Sequence, residues 1–187
     1  MLPSDLEIRA AATFESPSPG KLVGFAAVFN AEANLGEFFE TVRPGAFTRT
    51  LAEQRSVFAL YDHEQRSVLG RTPNTLKLSE DARGLAFELD LPDTTLGRDL
   101  AVSVGRGDIT GCSFGFRCFT GGDRWQTRGA VMHRELLEVE LHEITITSLP
   151  AYAETEVVRR SLAHAIARES NRSFRIDNYL AWLDTCR

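Results

Sequence analysis

Apolar and polar residues alternate with a period of two along most of the chain, the pattern of half-buried strands. LEIRAAATFE (6–15) and KLVGFAAVFN (21–30) read as strands separated by the turn cluster SPSPG. EFFETVRPG follows, stopped at Pro44-Gly45, and then AFTRTLAEQ (46–54), where Ala46, Phe47, Thr50 and Leu51 fit one helical face. SVFALYDHE (56–64) is a strand with a polar end. TLKLSED and GLAFELDLP, joined by a short polar link, predict a hairpin. TTLGRDLAVSVGRGD (94–108) predicts a helix, with Leu96, Leu100 and Val104 on one face and Thr94 or Thr95 as cap. ITGCSFGFRCFT is the next strand, GGDRWQTRGA a turn with a polar excursion, and VMHRELLEVELHEITITSLP one or two further strands ended by Pro150.

Beyond Pro150 the texture becomes helical, with AETEVVRRSLAHAIARES and then an amphipathic piece carrying Ile176, Tyr179, Leu180 and Leu183. The pattern therefore predicts a mostly β, α+β core over residues 1–155 and a helical C-terminal tail over 156–187. A chain of 187 residues can bury a core without disulfide or metal staples. Its three cysteines, Cys112, Cys118 and Cys186, form no zinc pattern or disulfide framework. A formal net charge of -5 argues against a broad nucleic-acid footprint. No signal peptide or membrane span is apparent, so a reducing cytoplasm is expected.

Candidate chemistry starts at GDITGCSFGF (107–116), where Ser113 lies in a G-x-S-x-G context. The nucleophile elbow of α/β-hydrolases needs a helix after the serine and a histidine late in the chain. Here an alternating aromatic strand follows, which places Cys112, Phe114 and Phe116 on one face and Ser113, Gly115 and Arg117 on the other. The elbow is disfavoured on that ground. A strand serine kept small by a close neighbour is the plain alternative. His63 sits where an apolar strand turns polar and fits either a cleft or a solvent-exposed turn. Glu143, by simple alternation, shares the apolar face of Val139 and Leu141. A carboxylate there needs a partner, either a structural arginine such as Arg71 or Arg117 or a catalytic group.

An ordered set of segments resembles the prohead maturation proteases of tailed bacteriophages, serine proteases with a herpesvirus-assemblin-like fold. The segments are GFAAVFN, FFETVRPGAFTRTL, ALYDHEQRSVLGRT, the run from TLKLSED to GCSFGF, and LLEVELHEITITSLPAY. They span residues 6 to 160, and DH, G-x-SFGF and the PAY ending are the most specific parts.

The resemblance implies a closed or partly closed β-barrel with short helices around it. It also implies a serine endopeptidase with His63 as base, Ser113 as nucleophile and Glu143 as third member, with no cofactor or metal. The adjacent His142 competes for the third role, and alternation sends the two side chains to opposite faces, so only one can serve. Backbone N–H groups near Gly115 or in the loop Leu149 to Tyr152 are the candidate oxyanion donors, with Arg71 and Arg117 as auxiliaries. The implied substrates are major capsid protein and scaffold segment, cleaved inside the immature capsid in the host cytoplasm, together with the enzyme's own tail. Portal and a homodimer partner are further implied contacts; nucleic acid and membrane are not. The competing function is a non-catalytic assembly module on the same fold.

Other motifs have plainer readings. Arg106-Gly107-Asp108 is expected to end a helix. Cys112 is expected to be a small core residue, and Trp125 a packing residue.

Overall fold

The computed structural model describes residues 6–11 and 14–148. The tail expected over 156–187 and the loop Leu149 to Tyr152 lie outside the described residues. The described chain is mostly strand, in three sheets with two short helices. The first sheet has the order β1 (Glu7–Ala11), β10 (Gly111–Cys118), β13 (Val139–Thr147), β6 (Phe58–Tyr61) and β7 (Glu64–Arg71). The second contains β2 (Phe14–Ser18), β3 (Lys21–Val28), β9 (Gly84–Asp90) and β8 (Leu76–Glu80), in that order. The third runs β11 (Asp123–Arg128), β12 (Val131–Leu136), β5 (Phe38–Val42) and β4 (Glu32–Asn34).

Among the described residues the strands do not close into a barrel; each sheet ends in two edge strands. The cause is visible at the first predicted strand. The run 6–15 splits, sending β1 to one sheet and β2 to another. The first two strands are thus dealt to different sheets instead of extending one.

The hairpin predicted over TLKLSED and GLAFELDLP is present as β8 and β9, with Leu76 opposite Leu89 and Leu78 opposite Phe87. Its link is held by Asp81 Oδ1, which accepts from the backbone N–H of Arg83 (2.7 Å) and Gly84 (3.0 Å). The predicted helix is α2 (Thr95–Gly105), capped by Thr94, whose hydroxyl accepts from the Gly97 N–H at 3.2 Å. Arg106-Gly107-Asp108 ends it: Gly107 has φ +81°, and the N–H groups of Gly107 and Asp108 return to Val104 and Ser103.

The polar excursion at GGDRWQTRGA is instead strand β11, hairpinned to β12. Its Trp125 packs edge-on against Phe38, with ring centroids 4.8 Å apart.

The first and second sheets pack face to face on the main core. Phe114, Phe116, Ile144 and Ile146 from one meet Leu22, Leu85, Phe87 and Leu89 from the other. The short helix α1 (Thr48–Ala52) enters this core beside Phe47, whose ring meets Phe114 edge-on at 5.7 Å. Glu80 serves the start of α1, accepting from Phe47 N–H (2.8 Å) and Thr48 Oγ1 (2.7 Å). Thr50 on the same helix donates to Val139 O (2.7 Å) and accepts from Leu141 N (3.1 Å). That hydroxyl satisfies β13 backbone groups ahead of the point where pairing with β6 begins at Glu143.

A buried ion cluster ties β1 to the third sheet. Arg134 on β12 bonds Glu7 (2.6 Å), Glu40 (3.1 Å) and Asp123 (3.0 Å), while Arg9 bonds Glu40 (2.5 Å) and Glu7 (2.6 Å). Two guanidiniums lie among three carboxylates. Burial pushes the Glu7 carboxyl up, but the hydrogen bonds and charges of Arg134 and Arg9 outweigh it and hold the pKa below 4.5. A carboxyl lowered on folding adds stability that is full above its unfolded pKa of 4.5 and is lost as pH falls through the folded value. Unfolding free energy measured by urea titration should therefore fall with pH below 4.5, and Glu7→Gln should flatten that slope. Equal slopes in the two proteins would contradict this. Removing one charge from a buried set costs roughly 3–5 kcal/mol, so Arg134→Ala should lower the urea midpoint accordingly.

Candidate active site

The site lies on the outer face of the first sheet, away from the main core. Its geometry follows from strand register. Ser113 on β10 pairs with Thr145 on β13, which pairs in turn with Leu60 on β6. In the adjacent row Gly115 pairs with Glu143, and Glu143 with Phe58. Side chains in register share a face. Cys112, Phe114, Ile144 and Ile146 point into the core. Ser113, Thr145 and Glu143 therefore project from the opposite face.

Simple alternation would have put Glu143 with Val139 and Leu141. The structure differs because β13 carries a bulge: Phe116 pairs with Leu141 while Gly115 pairs with Glu143, leaving His142 as the extra residue. Beyond the bulge the faces exchange. Ile144 and Ile146 continue the core started by Val139 and Leu141, and Glu143 turns to the site. The bulge also removes the premise that His142 and Glu143 diverge, since both line one hollow on this face. The nearest acidic partner of His142 is Glu140, 3.4 Å away.

His63 is not the end of a strand but one of the two residues linking β6 to β7. Asp62 and His63 have φ of +48° and +57°, and Tyr61 pairs with Glu64 across them. Positive φ at both central positions marks a type I′ hairpin turn, usually built with Asn and Gly. Held here by Asp and His, it is a strained conformation that its surroundings must maintain. The restraint comes from β13. The Asp62 N–H donates to Ile146 O (3.1 Å), and Thr147 Oγ1 donates to Asp62 Oδ1 (2.6 Å). Asp62 thus positions the turn rather than the imidazole.

From this turn His63 Nδ1 meets Glu143 Oε1 at 2.7 Å, and Thr145 Oγ1 donates to the same oxygen at 3.3 Å. This is the partner that the burial of Glu143 required; Arg71 instead lies over the Phe58 ring at 6.0 Å. With Glu143 as a carboxylate, Nδ1 is the donor and the lone pair resides on Nε2. His63 Nε2 is buried and, among the described residues, has no hydrogen-bond partner. Ser113 is fully buried.

Gly115 explains the second glycine of GCSFG. A Cβ at this position would lie 2.7 Å from Glu143 Cγ and 3.2 Å from Cδ, so the carboxylate crosses the strand only where a side chain is missing. Cys112, beside the serine, is buried, which pushes its thiol up to about 12 and leaves it protonated.

Among the described residues no cluster of His, Cys, Asp or Glu is arranged to hold a metal. No helix there is long and apolar enough to cross a membrane.

These features fit a serine hydrolase, and the comparison with known families agrees. The chain belongs to the caudovirus prohead serine protease family, whose profile matches residues 4–168. Among solved structures it is similar to the capsid assembly protease gp21 of bacteriophage T4, with a TM-score of 0.54 and 9% identity over 78% of this chain and 98% of that one. At that identity the likeness shows the fold. No curated protein matches the chain.

Gly115→Ala should separate Glu143 from His63. The measurement is the Nδ1–H proton of His63 by NMR, expected strongly downfield in the wild type and lost in the folded variant. An unchanged resonance would show that the carboxylate does not need the vacant position.

Proposed function

We propose that Ser113, His63 and Glu143 act as nucleophile, base and orienting acid of a prohead maturation endopeptidase. The observation that carries the reading is the His63–Glu143 hydrogen bond at 2.7 Å, on the sheet face that also bears Ser113. A serine hydroxyl is a weak nucleophile until a base accepts its proton. Glu143 holds Nδ1–H, which directs the free lone pair to Nε2.

In the reaction Ser113 Oγ attacks the scissile carbonyl carbon as Nε2 takes the hydroxyl proton. The imidazolium that forms is stabilised by Glu143. Nε2–H then protonates the leaving amine, giving an acyl-enzyme and a free N-terminus. Water, deprotonated by the same nitrogen, hydrolyses the ester and restores Ser113. Chain order His, Ser, Glu is compatible, because such triads are defined by geometry.

The substrates in this reading are scaffold and capsid protein segments, and the enzyme's own tail, within the immature particle. Family membership supports that setting. Portal binding and homodimerisation belong to the same proposal.

Ser113→Ala should abolish cleavage of co-assembled capsid protein, with a kcat loss on the order of 10⁶ if the three groups act as a unit. Continued full cleavage by the pure variant would overturn the assignment. Loss of cleavage with capsid binding retained separates the protease from a purely binding module. Glu143→Gln should slow turnover strongly, whereas an unchanged rate combined with an inactive His142→Ala would move the third role to His142.

A further inference from the structure

A concave surface lies apart from the proposed triad, between α1 and the strand β8. It is a groove of about 360 Å³ with Leu51, Val57, Leu76 and Leu78 among its apolar lining and Arg55 and Lys77 as its charged groups. The segment 55–58 separates it from the catalytic side: Ser56 and Phe58 line the hollow beside Glu143, whereas Arg55 and Val57 line the groove. One end of the groove is held by Thr72. Its Oγ1 accepts from Val57 N–H at 2.9 Å and donates to Arg55 O at 3.0 Å, and its own N–H donates to Val57 O at 3.0 Å. Beside it α1 is stopped by Gln54, which has φ +49° and bonds its N–H to Leu51 O at 3.2 Å. A surface fixed in this way binds without first paying to become ordered.

The groove runs along an open sheet edge. β8 is the last strand of the second sheet. Asp90 N–H bonds Thr75 O, Asp81 N–H bonds Gly84 O, and the register between these two pairs is unbroken. Odd-numbered residues of β8 therefore spend their backbone groups on β9, and the N–H and C=O of Leu76 and Leu78 point to the open edge. Such an edge is a template for a further strand. Lys77 stands on the opposite face of β8 from Leu76 and Leu78, so alternate residues of an added strand meet a cation on one face and leucines on the other.

Charge selects the occupant. The lining holds two cations and no carboxylate, in a chain of net charge -5. Arg55 is shared with Glu53 and Glu140. Lys77 is exposed and forms no ion pair among the described residues; Glu88, its register partner, bonds Lys21 at 2.9 Å. We infer that the groove docks an extended segment of a partner protein as a fifth strand of the second sheet, with apolar side chains over Leu51 and Leu78 and a carboxylate on Lys77. The segment alternates apolar and acidic residues, because main-chain pairing supplies the grip and the two faces supply the selection. A basic segment is repelled by Lys77 and Arg55. β8 offers five residues, about 17 Å of edge, and the docked segment matches that length. The inference does not rest on the proposed triad: it gives the protein a hold on a partner apart from any bond that is cut.

The test is fluorescence anisotropy on the full-length Ser113→Ala chain, chosen so that the probe is not cut, with two labelled octapeptides, one alternating Val and Glu and the other alternating Val and Lys. The Val-Glu peptide should bind with a dissociation constant below about 1 mM, and the Val-Lys peptide about 5-fold or more weakly, the size of an exposed charge contact. Lys77 is exposed, so Lys77→Glu leaves the fold in place and should reverse the order of preference. When the Val-Glu peptide binds, the amides of Leu76 and Leu78 should gain protection from hydrogen exchange, since their N–H groups face the added strand. Failure of the Val-Glu peptide to bind, a preference that Lys77→Glu leaves unmoved, or protection that spares Leu76 and Leu78 would overturn the docking site. Each of these results is read without cleavage, so none of them decides the role of Ser113.

Discussion

One hydrogen bond organises the outer face of the first sheet: His63 Nδ1 to Glu143 Oε1 at 2.7 Å, between residues 80 apart in the chain. Neither group reaches the other by default. The imidazole is delivered by a turn whose two residues both have positive φ, and the carboxylate by a bulge that reverses the faces of β13. Each distortion is locally unfavourable. Each is held by the same strand: Ile146 and Thr147 fasten Asp62, and Thr145 contacts Glu143. β13 thus supplies both the carboxylate and the restraints on the turn that carries the imidazole, so the two are set relative to each other by a single element.

The serine is placed by different means. It lies in the interior of β10, between β1 and β13, with Ala10 and Thr145 as register partners. The inner face of that strand is locked by Phe114 and Phe116 stacked at 5.3 Å. Its flank β1 is fastened to the third sheet through Glu7 and Arg9 in the buried ion cluster. The two faces of the sheet therefore differ, with apolar packing on one side and Ser113, Glu143 and the proposed chemistry on the other.

Much of this was legible in the sequence where local signals were strong. The hairpin over 76–90 has plain alternation and a short link opened by Asp81, and α2 has a threonine cap and a glycine stop. Ser113, His63 and Glu143 were indicated by the ordered family segments. What was illegible has physical causes. The turn at Asp62-His63 lacks the glycine that normally marks a type I′ hairpin, so β7 was invisible. DRWQTR has a single apolar residue, Trp125, among five polar ones, which hides β11. The bulge at His142 has no sequence mark, and without it alternation assigns Glu143 to the wrong face. Glu7, Arg9, Glu40 and Arg134 look like a solvated surface one strand at a time, and only their convergence shows that they are buried.

The most direct test of the account is covalent trapping by a fluorophosphonate, which reacts with an activated serine and leaves ordinary hydroxyls untouched. Peptide mapping of the adduct should place it on Ser113, with labelling slowed when either His63 or Glu143 is replaced. A protein that cleaves its substrate while the adduct maps to another residue would contradict it.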